Sequence, residues 1–158
     1  MKGESIKKFF IPILAVTAVL SFMLFSGFTK KDNIVSQGQT QKTISLSIGQ
    51  AGIKAFIADT GPLRQRGLGG RDVTSGDESM LFIFDSSALH GIWMKDMRFP
   101  IDIFWVDETM RVVFIKENVL PSSYPEVFRP ISPTKYVLET VAGFAEKNQV
   151  KIGDEISF

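Results

Sequence analysis

The stretch HGIWMKDMRFPIDIFWV, residues 90–106, decides the fold of this chain. It contains the only histidine and both tryptophans of the sequence. Its apolar residues alternate with polar ones, which is typical of strands that have one face in water. We therefore expect two strands here, at 91–95 and 101–106, joined as a hairpin. Pro100 marks the edge of the second strand, because proline cannot donate to a β-ladder.

Short strands and turns continue on both sides of this stretch. The segment TISLSI at 43–48 alternates cleanly and is expected to form a hairpin with residues 53–59. Further strands are predicted at 79–84, 111–117, 135–140 and 150–158. Short strands with glycine-rich turns indicate a mainly β (α+β) fold, a compact antiparallel β-sandwich or barrel-like domain over residues 43–158.

One or two short helices are expected within this domain. Thr60 is a candidate N-cap with Pro62 in the first turn, and Gly67 is expected to end the first helix. Residues 141–148 carry the second helix signal, although Gly143 weakens it because glycine is a poor helix former.

The composition of the N-terminal region predicts that the protein is located at a membrane. Residues 9–28 read FFIPILAVTAVLSFMLFSGF without a charge, and a helix of that length spans the roughly 30 Å hydrocarbon core of a bilayer. Lysines precede the run within residues 1–8, which favours a short cytoplasmic N-terminus. We expect a single-pass transmembrane signal anchor in the lipid bilayer, followed by a polar linker at 29–42. The domain would then lie outside the cytoplasmic membrane, and it would be exported if the segment were instead a cleaved signal peptide.

Composition excludes several classes of function. The chain has no cysteine and one histidine, so disulfides, thiol nucleophiles and cysteine metal sites are ruled out, and we expect no metal and no cofactor. From residue 29 onward there are 15 Lys+Arg (18 less 3) and 16 Asp+Glu (17 less 1), a formal charge of −1. Both signs are scattered, whereas nucleic-acid binders carry a concentrated basic face, so no nucleic-acid partner is expected.

A series of short motifs resembles the DUF192 family, a widespread bacterial and archaeal group of unknown function. The resemblance runs from Lys54 to Ser157 and rests on the order and spacing of the motifs. It implies a compact mainly β fold, usually behind a signal or anchor, and no known activity. The motifs are Gly67-Leu68, Gly70-Arg71, Met80-Leu81-Phe82, Trp93-Met94-Lys95, Pro100-Ile101-Asp102, Tyr136-Val137-Leu138-Glu139, Ala142-Gly143-Phe144 and Gly153-Asp154.

The central stretch also supplies the candidate ligand site. Trp93 and Lys95 point to the same face of a strand, because alternate strand residues share a face. If Asp102 lies opposite them, an aromatic wall with one positive and one negative group suits a sugar or another small polar ligand. Arg71 and Glu139 complete the candidate set, and we expect them to form an ion pair, since a carboxylate on a buried strand needs a partner.

Other interpretations remain open for the same residues. Trp93 also suits a core, with Lys95 and Asp102 as a cross-strand ion pair and no ligand. Arg66 and Arg71 flank a glycine cluster, which is a weak signal of anion binding by backbone amides.

Three functions follow, in order of preference. The first is an extracytoplasmic module that binds a small polar or carbohydrate-like ligand. The second is an accessory domain that presents residues 118–133, an irregular loop with four prolines, to another protein of the cell envelope. The third is a hydrolase that uses His90 as base with Ser86 or Ser87 as nucleophile. The sequence lacks the G-x-S-x-G motif of many hydrolases, so we assign no catalytic residue.

Overall fold

The computed structural model describes residues 41–73 and 78–158. Within them the chain forms nine strands, two α-helices and one turn of 3-10 helix at Pro121–Ser123, so the predicted mainly β fold is confirmed. The elements in chain order are β1 (Thr43–Ile48), β2 (Ala51–Ala58), α1 (Gly61–Arg66), β3 (Met80–Ala88), β4 (Ile92–Trp93), β5 (Ile101–Val106), β6 (Val112–Val119), β7 (Val127–Phe128), β8 (Thr134–Val141), α2 (Phe144–Asn148) and β9 (Ile156–Ser157).

Seven of these strands form one sheet, in the order β6-β5-β8-β3-β2-β1-β9. All neighbours are antiparallel except β2 and β3, which run parallel with Phe56 opposite Met80. The sheet is therefore mostly antiparallel, as predicted, and departs from the antiparallel arrangement at this pair. A parallel pair needs a crossover of about a dozen residues or more, and the connection 59–79, which contains α1, provides it.

The sheet curls into a half-barrel, the barrel-like alternative of the two predicted forms. Its two end strands approach each other, because Arg111 forms an isolated antiparallel bridge with Glu155. The backbone N–H of Ile156 donates to the carbonyl oxygen of Met110 at 2.9 Å, which extends the same contact.

Strand β5 lies inside the sheet with all six residues buried. Ile101, Ile103 and Trp105 enter one hydrophobic core, whereas Phe104 and Val106 enter a second core on the other face. Alternate strand residues point to opposite faces, so this arrangement requires both faces of β5 to be covered. The near-continuous apolar run of residues 101–106 is the sequence signature of such a strand.

The predicted hairpin between residues 91–95 and 101–106 does not form. Only Ile92–Trp93 is a strand, and it pairs with Val127–Phe128 in a separate two-stranded sheet. Residues 94–99 instead form an irregular connection from which the side chains of Met94 and Phe99 are buried in the first core. The same pairing corrects the prediction that residues 118–133 lack regular structure.

The hairpin of β1 and β2 is confirmed, as is the short helix after Thr60. The Thr60 hydroxyl oxygen accepts a hydrogen bond from the Leu63 N–H at 3.4 Å, and Gly67 ends α1 with a φ of 55°. The second helix starts later than predicted, at Phe144, because Val141 still belongs to β8.

Most of the predicted N-terminal segments precede the first residue that the structure describes, Gln41. Residues 1–8, the predicted span 9–28 and most of the linker lie outside the described residues. Among the residues that are described, no helix is long and apolar enough to cross a membrane. The last two linker residues already belong to the folded domain, since the carbonyl oxygen of Lys42 accepts from the N–H of Ile57 at 2.9 Å and the Gln41 amide donates to the Ile57 oxygen.

Candidate ligand-binding pocket

A pocket of about 330 Å³ lies on the side of the sheet that carries the first hydrophobic core. Its volume is at the lower end of the range of roughly 300–1,000 Å³ that small-molecule sites occupy. The end of α1 and the loop after it, β3, β4 and β8 all contribute to its wall. Its apolar lining consists of Leu68, Phe82, Phe84, Ile92, Trp93 and Met97, and its polar lining of Arg64, Gln65, Arg66, Lys95 and Glu139.

Glu139 provides the one carboxyl group that the described residues contribute to this pocket. It lies on β8 opposite Met80 of β3 and is 4% exposed. The backbone N–H of Leu68 donates to the carboxyl group, whereas Oε2 has no hydrogen-bond partner among the described residues. Oε2 lies 3.7 Å from the position that a Cβ on Gly67 would occupy, beside the loop that follows α1.

Burial raises the pKa of Glu139 to about 8, although the hydrogen bond from Leu68 acts in the opposite direction. Desolvation penalises the charged form of a carboxyl group, so Glu139 is mainly protonated at neutral pH. A protonated carboxyl group can donate one hydrogen bond and accept others. The pocket therefore contains a neutral polar group within largely apolar walls.

Three cationic side chains line the pocket, and they differ in how they are held. Arg64 is anchored, because it donates to the backbone oxygens of Asp59 at 2.8 Å and Ile83 at 2.7 Å. Arg66 and Lys95 are exposed, and neither forms an ion pair within residues 41–73 and 78–158. These two charges are therefore available to a ligand.

The structure brings together three of the five predicted site residues. Trp93, Lys95 and Glu139 line the same pocket, whereas Arg71 and Asp102 do not line it. Trp93 keeps 42% of its surface exposed, so it is a wall of the pocket rather than a core residue.

The expected ion pair between Arg71 and Glu139 is not formed. Arg71 lies 3.8 Å from the Glu78 carboxylate, donates a hydrogen bond to the Gln41 side chain, and stacks 4.0 Å above the ring of Phe56. These contacts occupy Arg71 outside the pocket and leave the Glu139 carboxyl group without a cationic partner among the described residues.

Asp102 has a structural role on the other face of β5. Its side chain is fully buried and accepts hydrogen bonds from the backbone N–H groups of Asn118 at 2.8 Å and Ala145 at 2.9 Å. The expected grouping of Asp102 with Trp93 and Lys95 required the hairpin that does not form.

His90 does not form the base–nucleophile pair that a hydrolase needs. Its Nε2 lies 2.9 Å from the backbone oxygen of Ser86, and its ring stacks on Phe84 with 3.5 Å between centroids. The Ser87 hydroxyl donates to Glu108 at 3.4 Å. Ser86 and Ser87 both lie within β3.

Part of the pocket wall consists of residues that were not predicted as site residues from the sequence. Phe82 and Phe84 were expected only as members of a buried strand, and Met97 was not singled out. The alternation of residues 80, 82 and 84 on one strand face was the available signal, but nothing in it indicates that a cavity lies above that face. Arg66 carried only the weak signal of a cation beside a glycine cluster.

The fold and the pocket define a small half-barrel domain with a largely apolar cavity on its first core. The chain belongs to the DUF192 family, described as "Uncharacterized ACR", whose model matches residues 44–158. The predicted resemblance is thereby confirmed.

Solved structures share this fold. A protein of Sinorhizobium meliloti described as a candidate transcription regulator is 25% identical, with a TM-score of 0.70 over 74% of this chain and 94% of its own. A protein of unknown function from Novosphingobium aromaticivorans is 23% identical, with a TM-score of 0.71 over 77% of this chain and 89% of its own. No curated protein matches the chain.

Proposed function

We propose that this protein is a binding module for a small polar or carbohydrate-like ligand, held in the pocket that Trp93 and Glu139 line. The observation that carries the proposal is the Oε2 atom of Glu139, which is buried in the pocket wall without a hydrogen-bond partner among the described residues. A buried polar atom left unsatisfied costs about 1–3 kcal/mol. A ligand hydroxyl or amide in the pocket would recover that free energy, whereas an apolar ligand would not.

The walls of the pocket support the same class of ligand. Trp93 presents an exposed indole at one side, and Phe82 and Phe84 contribute to the lining. Aromatic faces pack against the apolar C–H face of a sugar ring while polar groups fix its orientation. The neutral Glu139 carboxyl group supplies such an orienting contact at the buried end.

A binding role is preferred to catalysis because the described residues of the pocket contain a single carboxyl group and no nucleophile–base pair. The candidate transcription regulator from Sinorhizobium does not lead us to propose a nucleic-acid role, because residues 29–158 carry a formal charge of −1. We further propose that residues 9–28 anchor the domain outside the cytoplasmic membrane. Protease added to intact spheroplasts should degrade the domain, and its protection would overturn this topology.

The binding proposal is tested by a thermal-shift screen of the full-length chain against neutral sugars, amino sugars, uronic acids and amino acids. A bound ligand stabilises the folded state by mass action, by roughly 2.7 kcal/mol at a hundred times its Kd. Glu139→Leu and Trp93→Ala should abolish the shift of any active compound. Glu117→Gln, at an exposed position of β6, is the matched control and should keep it. A screen without any shift on a cooperatively folded chain would overturn the proposal.

A second candidate function has its own supporting observation. The segment 118–133 exposes large apolar side chains, with Ile131 at 83%, Leu120 at 50% and Tyr124 at 48%. Exposed apolar patches mark interaction sites, so this segment is a candidate surface for an envelope protein. Crosslinking in membranes distinguishes the two functions, because Ile131→Ser and Tyr124→Ser should remove a crosslinked partner while leaving the thermal shift intact.

A further inference from the structure

The pocket continues into a second depression of about 460 Å³. Three side chains, those of Gln65, Arg66 and Lys95, line both cavities. The second depression is otherwise formed by Pro62, Gly69, Gly70 and Asp96, so it is more polar in character than the first. A ligand longer than one ring can therefore extend from the aromatic pocket across this junction.

The junction carries positive charge. Arg66 and Lys95 are exposed there without an ion pair in the described part of the chain, and the one acidic residue of the second depression is Asp96. Arg66 also acts on the neighbouring Arg71. Burial is the main cause that lowers the pKa of Arg71, the Glu78 carboxylate raises it, and the positive charge of Arg66 lowers it further. The positive charges of Arg66 and Lys95 at the boundary between the two cavities favour an anionic group there.

The backbone around the junction is closely packed. The Gly69 N–H donates to the Arg66 oxygen at 3.0 Å, and the Gly70 N–H donates to the Asp96 oxygen at 2.8 Å. A Cβ on Gly69 would lie 2.9 Å from the Arg66 oxygen and 3.0 Å from the Lys95 oxygen. The end of α1, which carries Arg66, and the turn that carries Lys95 are therefore held close together, which lowers the cost of ordering them around a ligand.

We propose that the ligand is an anionic saccharide of at least two units, whose acidic group lies between Arg66 and Lys95, with one ring against Trp93 and Glu139 and the next unit in the second depression. This inference rests on the proposed function and adds to it the charge and the length of the ligand. A carboxylate and a phosphate share the required chemistry, so the test includes both.

The test measures binding to the full-length chain by isothermal titration, with the fluorescence of Trp93 as a second readout. The probes are digalacturonic acid, galacturonic acid, galactose 6-phosphate and neutral lactose. We expect at least one anionic probe to bind about tenfold or more tightly than lactose, and digalacturonic acid to bind more tightly than galacturonic acid. Added salt should weaken the anionic complexes, since it screens exposed charges.

Variants locate the anionic group. Lys95→Met and Arg66→Gln should each weaken the anionic probe by about tenfold and leave lactose unchanged. Lys54→Met, an exposed lysine that lines neither of these two cavities, is the matched control and should bind like the wild type. A preference for galactose 6-phosphate over galacturonic acid, which is also a single unit, would identify the group as a phosphate, and the comparison of digalacturonic acid with galacturonic acid tests the length of the ligand.

Two results would overturn the inference, and they can be told apart. If lactose binds as tightly as the acidic probes, and Glu139→Leu abolishes binding while Lys95→Met does not, the anionic group is refuted and the proposed function stands. If a folded chain binds none of the probes and none of the screened sugars, both fail.

Discussion

The carboxylate of Asp102 accepts a hydrogen bond from the backbone N–H of Ala145, 43 residues later in the chain. Its other oxygen accepts from the N–H of Asn118, a residue with a φ of 50° on β6. One buried side chain therefore satisfies the first turn of α2 and an irregular position of the neighbouring strand. Buried backbone donors need such partners, because water cannot reach them.

Removal of this carboxylate should destabilise the domain without a direct effect on the pocket. Asp102→Ala leaves two backbone N–H groups without an acceptor, so we expect the free energy of unfolding to fall by about 3 kcal/mol. Asp102→Asn keeps one acceptor oxygen and should lose less. Urea denaturation followed by circular dichroism measures both values. A loss below about 1 kcal/mol for Asp102→Ala would contradict the assigned role.

The buried carboxyl group of Glu139 should make stability depend on pH. Its pKa is about 8 in the folded chain against an ordinary value of 4.5, so the folded state binds more protons between these values. The free energy of unfolding must then fall as pH rises from about 5 to about 8, by at most about 1.4 kcal/mol per pH unit. Denaturation at pH 5, 6, 7 and 8 measures the slope.

Glu139→Gln is the control for this pH dependence. The amide does not titrate, so the slope between pH 5 and 8 should become smaller and the variant should gain relative stability at pH 8. A wild-type chain with the same stability at pH 5 and pH 8 would show that Glu139 is not desolvated as described.

Gly69 should be intolerant of a side chain. A Cβ there would lie within 3.0 Å of two backbone oxygens, so Gly69→Ala must displace the loop after α1 or the loop around Lys95. Overpacking of this kind costs about 1–3 kcal/mol. Gly52→Ala is the matched control, because a Cβ on Gly52 meets nothing within 4 Å. Thermal denaturation should separate the two variants, and equal melting temperatures would contradict the close packing of these loops.

The two tryptophans should report on separate environments. Trp93 is 42% exposed, whereas Trp105 is fully buried and donates from Nε1 to the backbone oxygen of His90 at 2.9 Å. Acrylamide should therefore quench only part of the fluorescence of the wild type. Trp93→Phe should remove the quenched part and shift the emission to shorter wavelength. Strong quenching that persists in Trp93→Phe would place Trp105 in contact with water instead.

The elements that depend on local sequence were predictable. The hairpin of β1 and β2, the capped helix after Thr60 and strand β5 are each specified by an alternation, a capping residue or a run of apolar residues within a few positions. Their boundaries agree with the structure to within two residues.

The elements that depend on partners distant in the sequence were not predictable from local patterns. Strand β4 pairs with β7 across 34 residues of chain rather than with β5, and no local pattern distinguishes that pairing from a hairpin with β5. The parallel pairing of β2 and β3 depends on where the connection 59–79 returns the chain.

The candidate site shows the same difference between residues that a local pattern indicates and residues that distant contacts place. Trp93 and Lys95 were predicted together from strand alternation, but β4 ends at Trp93, so Lys95 reaches the pocket from the turn that follows the strand. Glu139 was expected to pair with a cation. It has no cationic partner because Arg71 contacts Glu78 and Gln41 instead, and Gln41 lies far from Arg71 in the sequence. Asp102 was misplaced because its partners belong to two other elements.

The bridge between Arg111 and Glu155 has a consequence for the behaviour of this protein at high concentration. An uncovered edge strand offers free N–H and C=O groups, on which a strand of another molecule can add and start aggregation. Here the beginning of β6 is already occupied, since the N–H of Val112 donates to the oxygen of Asp154 at 2.9 Å and the N–H of Gly153 donates to the oxygen of Val112 at 2.8 Å. The curled sheet thereby closes the start of its β6 edge to strand addition by neighbouring molecules.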